Sequence, residues 1–299
     1  MQSLVSIIVP VYNEKISIAE TVRGIHNTLS AAGGSFEIIV VDDGSDDGSA
    51  RVLDAVKGIA RILRHQQNRG YGASIKSGIA ASVGDLIAII DADGTYPYDR
   101  LPELVRAMAA HDMVVAARTG AEVCIPFSRR LAKWFITRLA EYLCGQPISD
   151  LNSGMRVMRR DVMKRFQGLL PDGFSFTTTI TLAMITNGYR VHFVPVNYRV
   201  RRGRSKFRPI RDTLTFIQLI IRTVMYFEPL KVFLPISLML FAAALAALIH
   251  RVLVGKGLLV ISVMLFVAAV QVLAIGMLAD LIDKRGQMNH LPPDDPRGP

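Results

Sequence analysis

The chain has 299 residues, 51% of them hydrophobic and 20% charged, and carries a formal net charge of +10. It holds enough apolar sequence for a large cored domain, which excludes disorder for most of its length. The basic residues crowd beside two long apolar blocks and no aromatic-rich RNA-binding signature accompanies them, so membrane lipids are expected as the anionic partner and nucleic acid is not.

In chain order, short β-branched runs predict strands at Val5–Val9, Ile38–Val41, Ile59–Leu63, Leu86–Ile90 and Met113–Ala116. Helical patterns fall between them at Ile16–Leu29, Gly48–Val56, Ala73–Ala81 and Leu101–Ala110. This alternation predicts an α/β domain with a mostly parallel sheet, whose ligands bind at the carboxyl ends of the strands. Beyond Arg118 come a helix around Arg129–Leu143, a loop over Gly145–Gly154, a helix near Thr177–Thr186 and a strand near Val191–Val194. Met1–Val11 has no basic n-region and reads as a strand rather than a signal peptide. Cys124 and Cys144 fit a reducing compartment and need not pair.

The apolar blocks Leu230–Ile249 and Leu258–Leu278, interrupted by Lys231 and Gln271, each approach the roughly 20 residues that cross a bilayer. They predict two transmembrane helices, at about 230–250 and 257–279, joined by a short connection. Arg199, Arg201, Arg202, Arg204, Lys206, Arg208, Arg211 and Arg222 precede the first block and Lys284 and Arg285 follow the second, against Arg251 and Lys256 between them. The positive-inside rule then puts the large N-terminal part in the cytoplasm, which implies a multi-pass protein of the inner (cytoplasmic) membrane. Apolar residues at helical spacing over Pro209–Phe227 fit two readings, a helix in the membrane interface or one packed on the soluble domain. Gln287–Pro299 reads as a polar, proline-rich tail. The expected divisions are 1–207, 208–228, 229–282 and 283–299.

Strand ends carry the chemistry. Asp42 and Asp43 close the second strand, whereas Ser45, Asp46 and Gly48 read as turn and cap residues. Asp91 and Asp93 follow the fourth strand at i and i+2, so both carboxylates can face one hard cation. Mg²⁺ binds through one or two carboxylates plus substrate phosphate oxygens, which suits a nucleoside diphosphate. Gly70-Tyr71-Gly72 opens a helix and either offers backbone N–H groups to a phosphate or simply makes a tight turn. No G-x-x-x-x-G-K-[ST] element supports an ATPase.

Pro10–Glu14, Val41–Gly48, Asp91–Asp93, Asp150-Leu151-Asn152-Ser153-Gly154-Met155-Arg156 and Arg202-Gly203-Arg204-Ser205-Lys206 together resemble the dolichyl-phosphate mannose synthase-like branch of the inverting family 2 glycosyltransferases. The likeness runs in order from residue 4 to about 206. It implies a GT-A fold and a metal-dependent inverting enzyme that moves a sugar from a UDP- or GDP-linked donor to undecaprenyl or dolichyl phosphate. Pro10, Tyr12, Glu14, Asp42, Asp43, Gly72, Asp91 and Ala92 are then expected around the nucleotide sugar. Asp91 and Asp93, with Thr95 in the place of a third ligand, are expected around Mg²⁺ or Mn²⁺. The family often has a Gln ligand where Thr95 stands, which leaves the third protein ligand open.

Asp150, Asp93 and Arg118 are expected at the reaction centre, although Asp150 also reads as a structural carboxylate or cap. Arg118, Arg130, Lys133, Arg202, Arg204, Ser205 and Lys206 are expected at the acceptor phosphate. A lipid phosphate with a second pKa near ~6 is mostly dianionic at neutral pH and needs positive charge rather than a strong base. The competing readings are a diacylglycerol or glycan acceptor with Asp150 as base, and a catalytically silent sugar-nucleotide binder. A homo-oligomer is compatible with either.

Overall fold

A computed structural model of the chain describes residues 3–119, 137–142, 144–198, 218, 221, 225, 228–254 and 259–288, with backbone alone at 283–288. The chain divides into two compact units, Met1–Ile220 and Ile221–Pro299.

The first unit is built on a seven-stranded sheet of β1 (Val5–Val11), β2 (Phe36–Asp42), β3 (Arg61–Arg64), β4 (Leu86–Ile89), β5 (Met113–Ala117), β6 (Arg156–Arg159) and β7 (Val191–Pro195). Their order across the sheet is β3-β2-β1-β4-β6-β5-β7. β1 is buried along its whole length, as a central strand covered on both faces must be. All strands run the same way except β6, which is antiparallel to both β4 and β5. This is the expected GT-A-type, mostly parallel arrangement.

The helices are α1 (Ile18–Ala31), α2 (Ser49–Asp54), α3 (Tyr71–Ala81), α4 (Leu101–Ala107), α5 (Arg160–Phe166) and α6 (Phe176–Thr186). α1 shows why they cover the sheet: Ile18, Val22, Ile25 and Leu29 recur at three- and four-residue spacing and all are buried.

Several boundaries differ from expectation. β3 begins at Arg61 instead of Ile59, because Ile59 and Ala60 donate back to Val56 in turns that continue α2. β6 and α5 were not expected at all: Arg156-Val157-Met158-Arg159 is four residues long with an Arg at each end and lacks a strand pattern.

The second unit contains α7 (Leu230–Val254) and α8 (Leu259–Met288), two antiparallel apolar helices. Their segments Leu230–Val254 and Leu259–Ile282 are long and apolar enough to cross a bilayer; both end a few residues beyond the expected limits, and the second begins slightly later than expected. Ser237 donates to the Ala269 carbonyl at 2.9 Å, and Gly276 lies against Phe233 where a Cβ would not fit. Of the 209–227 segment only 218, 221 and 225 are described, each helical. The expected helix around Arg129–Leu143 is described only at 137–142, and the basic segment Arg199–Arg211 lies outside the described residues.

Candidate active site

The reversed direction of β6 assembles the site. Arg156, its first residue, pairs with Ile89 at the end of β4 and with Val115 near the end of β5. The loop Asp150–Met155 therefore reaches the same rim of the sheet as Asp91–Thr95 after β4 and Arg118 after β5. The strand order reverses between β1 and β4, the place where open α/β sheets form a ligand crevice.

At the end of β4, Asp91 Oδ1 accepts a 2.8 Å hydrogen bond from the Tyr71 hydroxyl, and a Cβ on Gly154 would collide with the Asp91 carboxylate. Asp93 Oδ1 accepts from the Thr95 backbone at 3.1 Å and from Thr95 Oγ1 at 2.6 Å. Thr95, expected as a metal ligand, is fully buried and turns its hydroxyl onto Asp93. Ser17 Oγ and Thr21 Oγ1 donate to the Ala92 carbonyl at 2.8 and 3.4 Å. The start of α1 thus fixes the Asp91–Asp93 turn from below.

Arg118 and Asp150 form a two-pronged pair. Asp150 Oδ2 accepts from Arg118 Nε at 2.7 Å and from its backbone N–H at 3.0 Å, while Oδ1 accepts from Nη2 at 2.9 Å. The Asn152 backbone adds a fourth donor at 3.2 Å. Burial alone would depress the Arg118 guanidinium, but Asp150, with Tyr96 and Tyr198 nearby, raises it above its ordinary value. Arg118 Cζ stands 5.4 Å from the Tyr198 ring centroid, and Tyr198 meets Tyr96 edge-on at 5.2 Å. Burial pushes both phenols above the ordinary tyrosine value.

On the β1–β2 side, Pro10 lies within β1, and the half-buried Tyr12 and Glu14 follow it. The two loops are laced together: Asn13 Nδ2 donates to Asp46 Oδ1 at 2.8 Å, and the Asp46 backbone returns a 3.0 Å bond to Asn13 Oδ1. Ser49 Oγ accepts from the Glu14 backbone at 3.0 Å. Gly48, at φ +94°, caps α2, and Ser45 donates its backbone to Asp42, so these residues play the turn and cap roles expected of them. Asp43 is buried, with Oδ1 accepting from the Arg69 backbone and Oδ2 from the Gly70 backbone at 2.9 and 2.8 Å. His65 Nδ1 lies 2.6 Å from Asp43 Oδ1. Beside this knot, Arg64, His65, Gln66, Gln67 and Arg69 line a cavity of about 310 Å³.

Gly72, expected at the nucleotide, packs against a second loop. Its Cα abuts the Pro171 carbonyl, and the Ala73 N–H at the start of α3 donates to the Asp172 carbonyl at 3.0 Å. Its missing side chain admits the Pro171–Asp172 backbone. Arg130, Lys133, Arg202, Arg204, Ser205 and Lys206 lie outside the described residues.

Four site residues escaped the sequence reading as functional groups: Tyr71, Tyr96, Tyr198 and Arg156. Arg156 is fully buried, donating through Nε and Nη2 to the Ser153 carbonyl and through Nη1 to the Thr177 carbonyl and Thr181 Oγ1. It ties the Ser153–Gly154 turn to α6. Its place in the Asp150–Arg156 motif was the available signal. The tyrosines lie 20 or more positions from the carboxylates they serve or in unremarkable contexts, and nothing local marks them.

The Glycosyl transferase family 2 model matches residues 6–166, more than half of the chain, and the GtrB C-terminal hairpin model matches residues 228–284. The chain belongs to glycosyl transferase family 2. Among similar proteins, the undecaprenyl-phosphate 4-deoxy-4-formamido-L-arabinose transferase of Pseudomonas aeruginosa is 29% identical, covering 94% of this chain and 85% of that protein. The dolichyl-phosphate hexose transferase of Haloferax volcanii is 30% identical, covering 68% of this chain and 86% of that protein. Glucosyl-3-phosphoglycerate synthase from Mycobacterium tuberculosis, solved with UDP, superposes at a TM-score of 0.59 with 20% identity, covering 74% of this chain and 80% of that one. The same enzyme with Mn²⁺, UDP and glucosyl-3-phosphoglycerate gives a TM-score of 0.56 with 22% identity over 75% and 79% of the two chains. These structures share the fold. The glycosyltransferase therefore couples a GT-A-type domain to a hairpin of two candidate membrane helices.

Proposed function

We propose that this glycosyltransferase moves one sugar, with inversion, from a nucleoside diphosphate donor to a polyprenyl phosphate, at the cytoplasmic face of the inner membrane. The observation that carries this reading is the Arg118–Asp150 pair. A carboxylate gripped by a guanidinium and two backbone N–H groups is a weak proton acceptor, so the site is poorly equipped to activate a sugar or glycerol hydroxyl. Arg118 Nη1 makes no hydrogen bond to the described residues, which leaves that edge of the cation for an anion. An acceptor that is already ionised suits such a site. The similarity to transferases named for undecaprenyl and dolichyl phosphate, and to the GtrB hairpin, supports the same choice.

In this mechanism an acceptor phosphate oxygen attacks the anomeric carbon opposite the leaving diphosphate. The new C–O bond forms as the old one breaks, the bonding pair leaves with the diphosphate, and no proton need move. Asp150 orients Arg118, and Arg118 positions the acceptor. Tyr71 and Thr95 orient Asp91 and Asp93. Two oxygen-donor carboxylates on one turn fit Mg²⁺ or Mn²⁺ shared with a diphosphate, and among the described residues no group of three or more His, Cys, Asp or Glu offers a complete protein cage. When bound, the metal neutralises charge on the departing diphosphate. Pro10, Tyr12, Glu14, Asp42 and Asp43 frame the nucleotide, and the UDP and Mn²⁺ of the fold relative support a uridine donor. Arg130, Lys133, Arg202, Arg204, Ser205 and Lys206 complete the acceptor site. The working divisions remain 1–207, 208–228, 229–282 and 283–299.

The test is transfer from radiolabelled nucleotide sugars to undecaprenyl phosphate in detergent, with and without chelator. A lipid-extractable product that disappears with chelator and returns with Mn²⁺ supports the proposal. Transfer only to diacylglycerol or a glycan refutes it.

A further inference from the structure

The apolar hairpin contains one amide at its deepest point. Gln271 lies eleven to twelve residues from either end of the spanning segment Leu259–Ile282. Its side chain is exposed on the hairpin and makes no hydrogen bond to the described residues. α8 meets α7 through a different face, where Ser262, Ala269 and Gly276 are buried at seven-residue spacing. Gln271 is two residues from Ala269, about 200° around the helix, and so points away from α7. It shares its own face with the exposed Met264, Val267 and Leu278.

We propose that this face of α8 packs against the same face of a second copy of the chain, the two Gln271 amides hydrogen-bonding to each other. The inference rests on the reading that the hairpin spans the bilayer. At mid-bilayer neither acyl chains nor an isoprenoid tail supplies a donor or an acceptor, and an amide left there is costly. Gln carries both a donor and an acceptor. Two copies inserted in the same direction, related by a two-fold axis along the membrane normal, bring their Gln271 residues to the same depth. Each amide then donates to the other's carbonyl, a self-complementary contact of the kind a two-fold requires. Met264, Val267 and Leu278, four and seven residues away, continue the stripe to either side at the spacing of a helix–helix seam.

Two batches of full-length protein, labelled at the amino terminus with donor and acceptor fluorophores, are mixed in phosphatidylcholine liposomes, and energy transfer is followed as lipid dilutes the protein. Wild-type protein should associate. Gln271→Leu should shift the curve about tenfold toward dissociation, equivalent to ~1.4 kcal/mol, and Gln271→Asn, which keeps the amide, should lie between the two. All three should resist carbonate extraction. Unchanged association of Gln271→Leu overturns the proposal, as does wild-type protein that stays monomeric at every density. Association that appears only when another membrane protein is added also overturns it, by assigning the face to a different partner. Extraction of the wild-type chain by carbonate would remove the spanning reading and this contact with it.

Discussion

The phenol of Tyr71 donates a 2.8 Å hydrogen bond to Oδ1 of Asp91, linking the first residue of α3 to the carboxylate that ends β4. On its other side Tyr71 stacks on Phe174, with ring centroids 5.7 Å apart and planes 9° from parallel. Lys76 holds the same loop through a 2.7 Å ion pair with Asp172. Tyr71→Phe keeps the stack and removes only the bond to a charged group, worth about 1.5 kcal/mol or more. The Mn²⁺ concentration that half-saturates UDP binding should rise roughly tenfold, with a fall of roughly 3–6 °C in melting temperature. Unaltered Mn²⁺ dependence would separate Tyr71 from the metal site.

Gly154 is required by contact. A methyl group there meets the Asp91 carboxylate, whereas one at Gly168 meets nothing within 4 Å. Gly154→Ala should abolish UDP binding measured by calorimetry, and Gly168→Ala should leave it unchanged.

Arg156 is the largest fully buried side chain, and its donors go to two carbonyls and one hydroxyl. Arg156→Met would leave those acceptors unsatisfied and cost about 3 kcal/mol or more. In a domain of this size that corresponds to a fall of roughly 6–12 °C in melting temperature. Arg156→Lys should recover only part of it, because an ammonium cannot bridge the same three acceptors with a planar fork. Thermal melts of the detergent-solubilised variants decide this.

The pH response follows from three raised phenols, Tyr71, Tyr96 and Tyr198, and a raised guanidinium. All three have folded values above the ordinary tyrosine value of about 10, so their contribution is complete below ~10 and is lost as pH rises beyond it. Arg118, raised as well, stays charged over the same range. Activity should therefore climb through ~6 with the second ionisation of the acceptor phosphate, stay level to about pH 9, and fall with stability above ~10. A pH–rate profile set beside melting temperatures checks it, and a decline near pH 8 would point to a group absent from this site.

Much of this architecture was legible in the sequence because its signals are local. The β-branched runs of β1, β2, β4 and β5 mark a sheet buried on both faces, and Asp42, Asp91 and Asp93 stand where its strands end. The apolar lengths of α7 and α8 announce themselves. What stayed hidden depends on contacts between distant segments. β6 is too short and too charged to show a period, yet its reversal brings Gly154 to Asp91. Gly70-Tyr71-Gly72 fitted a phosphate loop or a tight turn, and only tertiary structure reveals the Pro171–Asp172 backbone lying against it. The Arg118–Asp150 pair joins residues 32 apart, a contact no local pattern announces, and the proposed mechanism uses Asp150 as an anchor on the strength of it.

In the proposed mechanism Arg118, oriented by Asp150, serves an acceptor that arrives already ionised. The most direct test is single-turnover transfer to undecaprenyl phosphate by the wild-type protein, Asp150→Asn and Arg118→Ala, each with folding verified by its melting curve. Arg118→Ala should weaken acceptor use most severely, and Asp150→Asn, which can still hydrogen-bond Arg118, should retain measurable transfer with an unchanged rise near pH ~6. Asp150→Asn that binds donor and acceptor normally but transfers nothing, beside an active Arg118→Ala, would contradict this mechanism and make Asp150 the base.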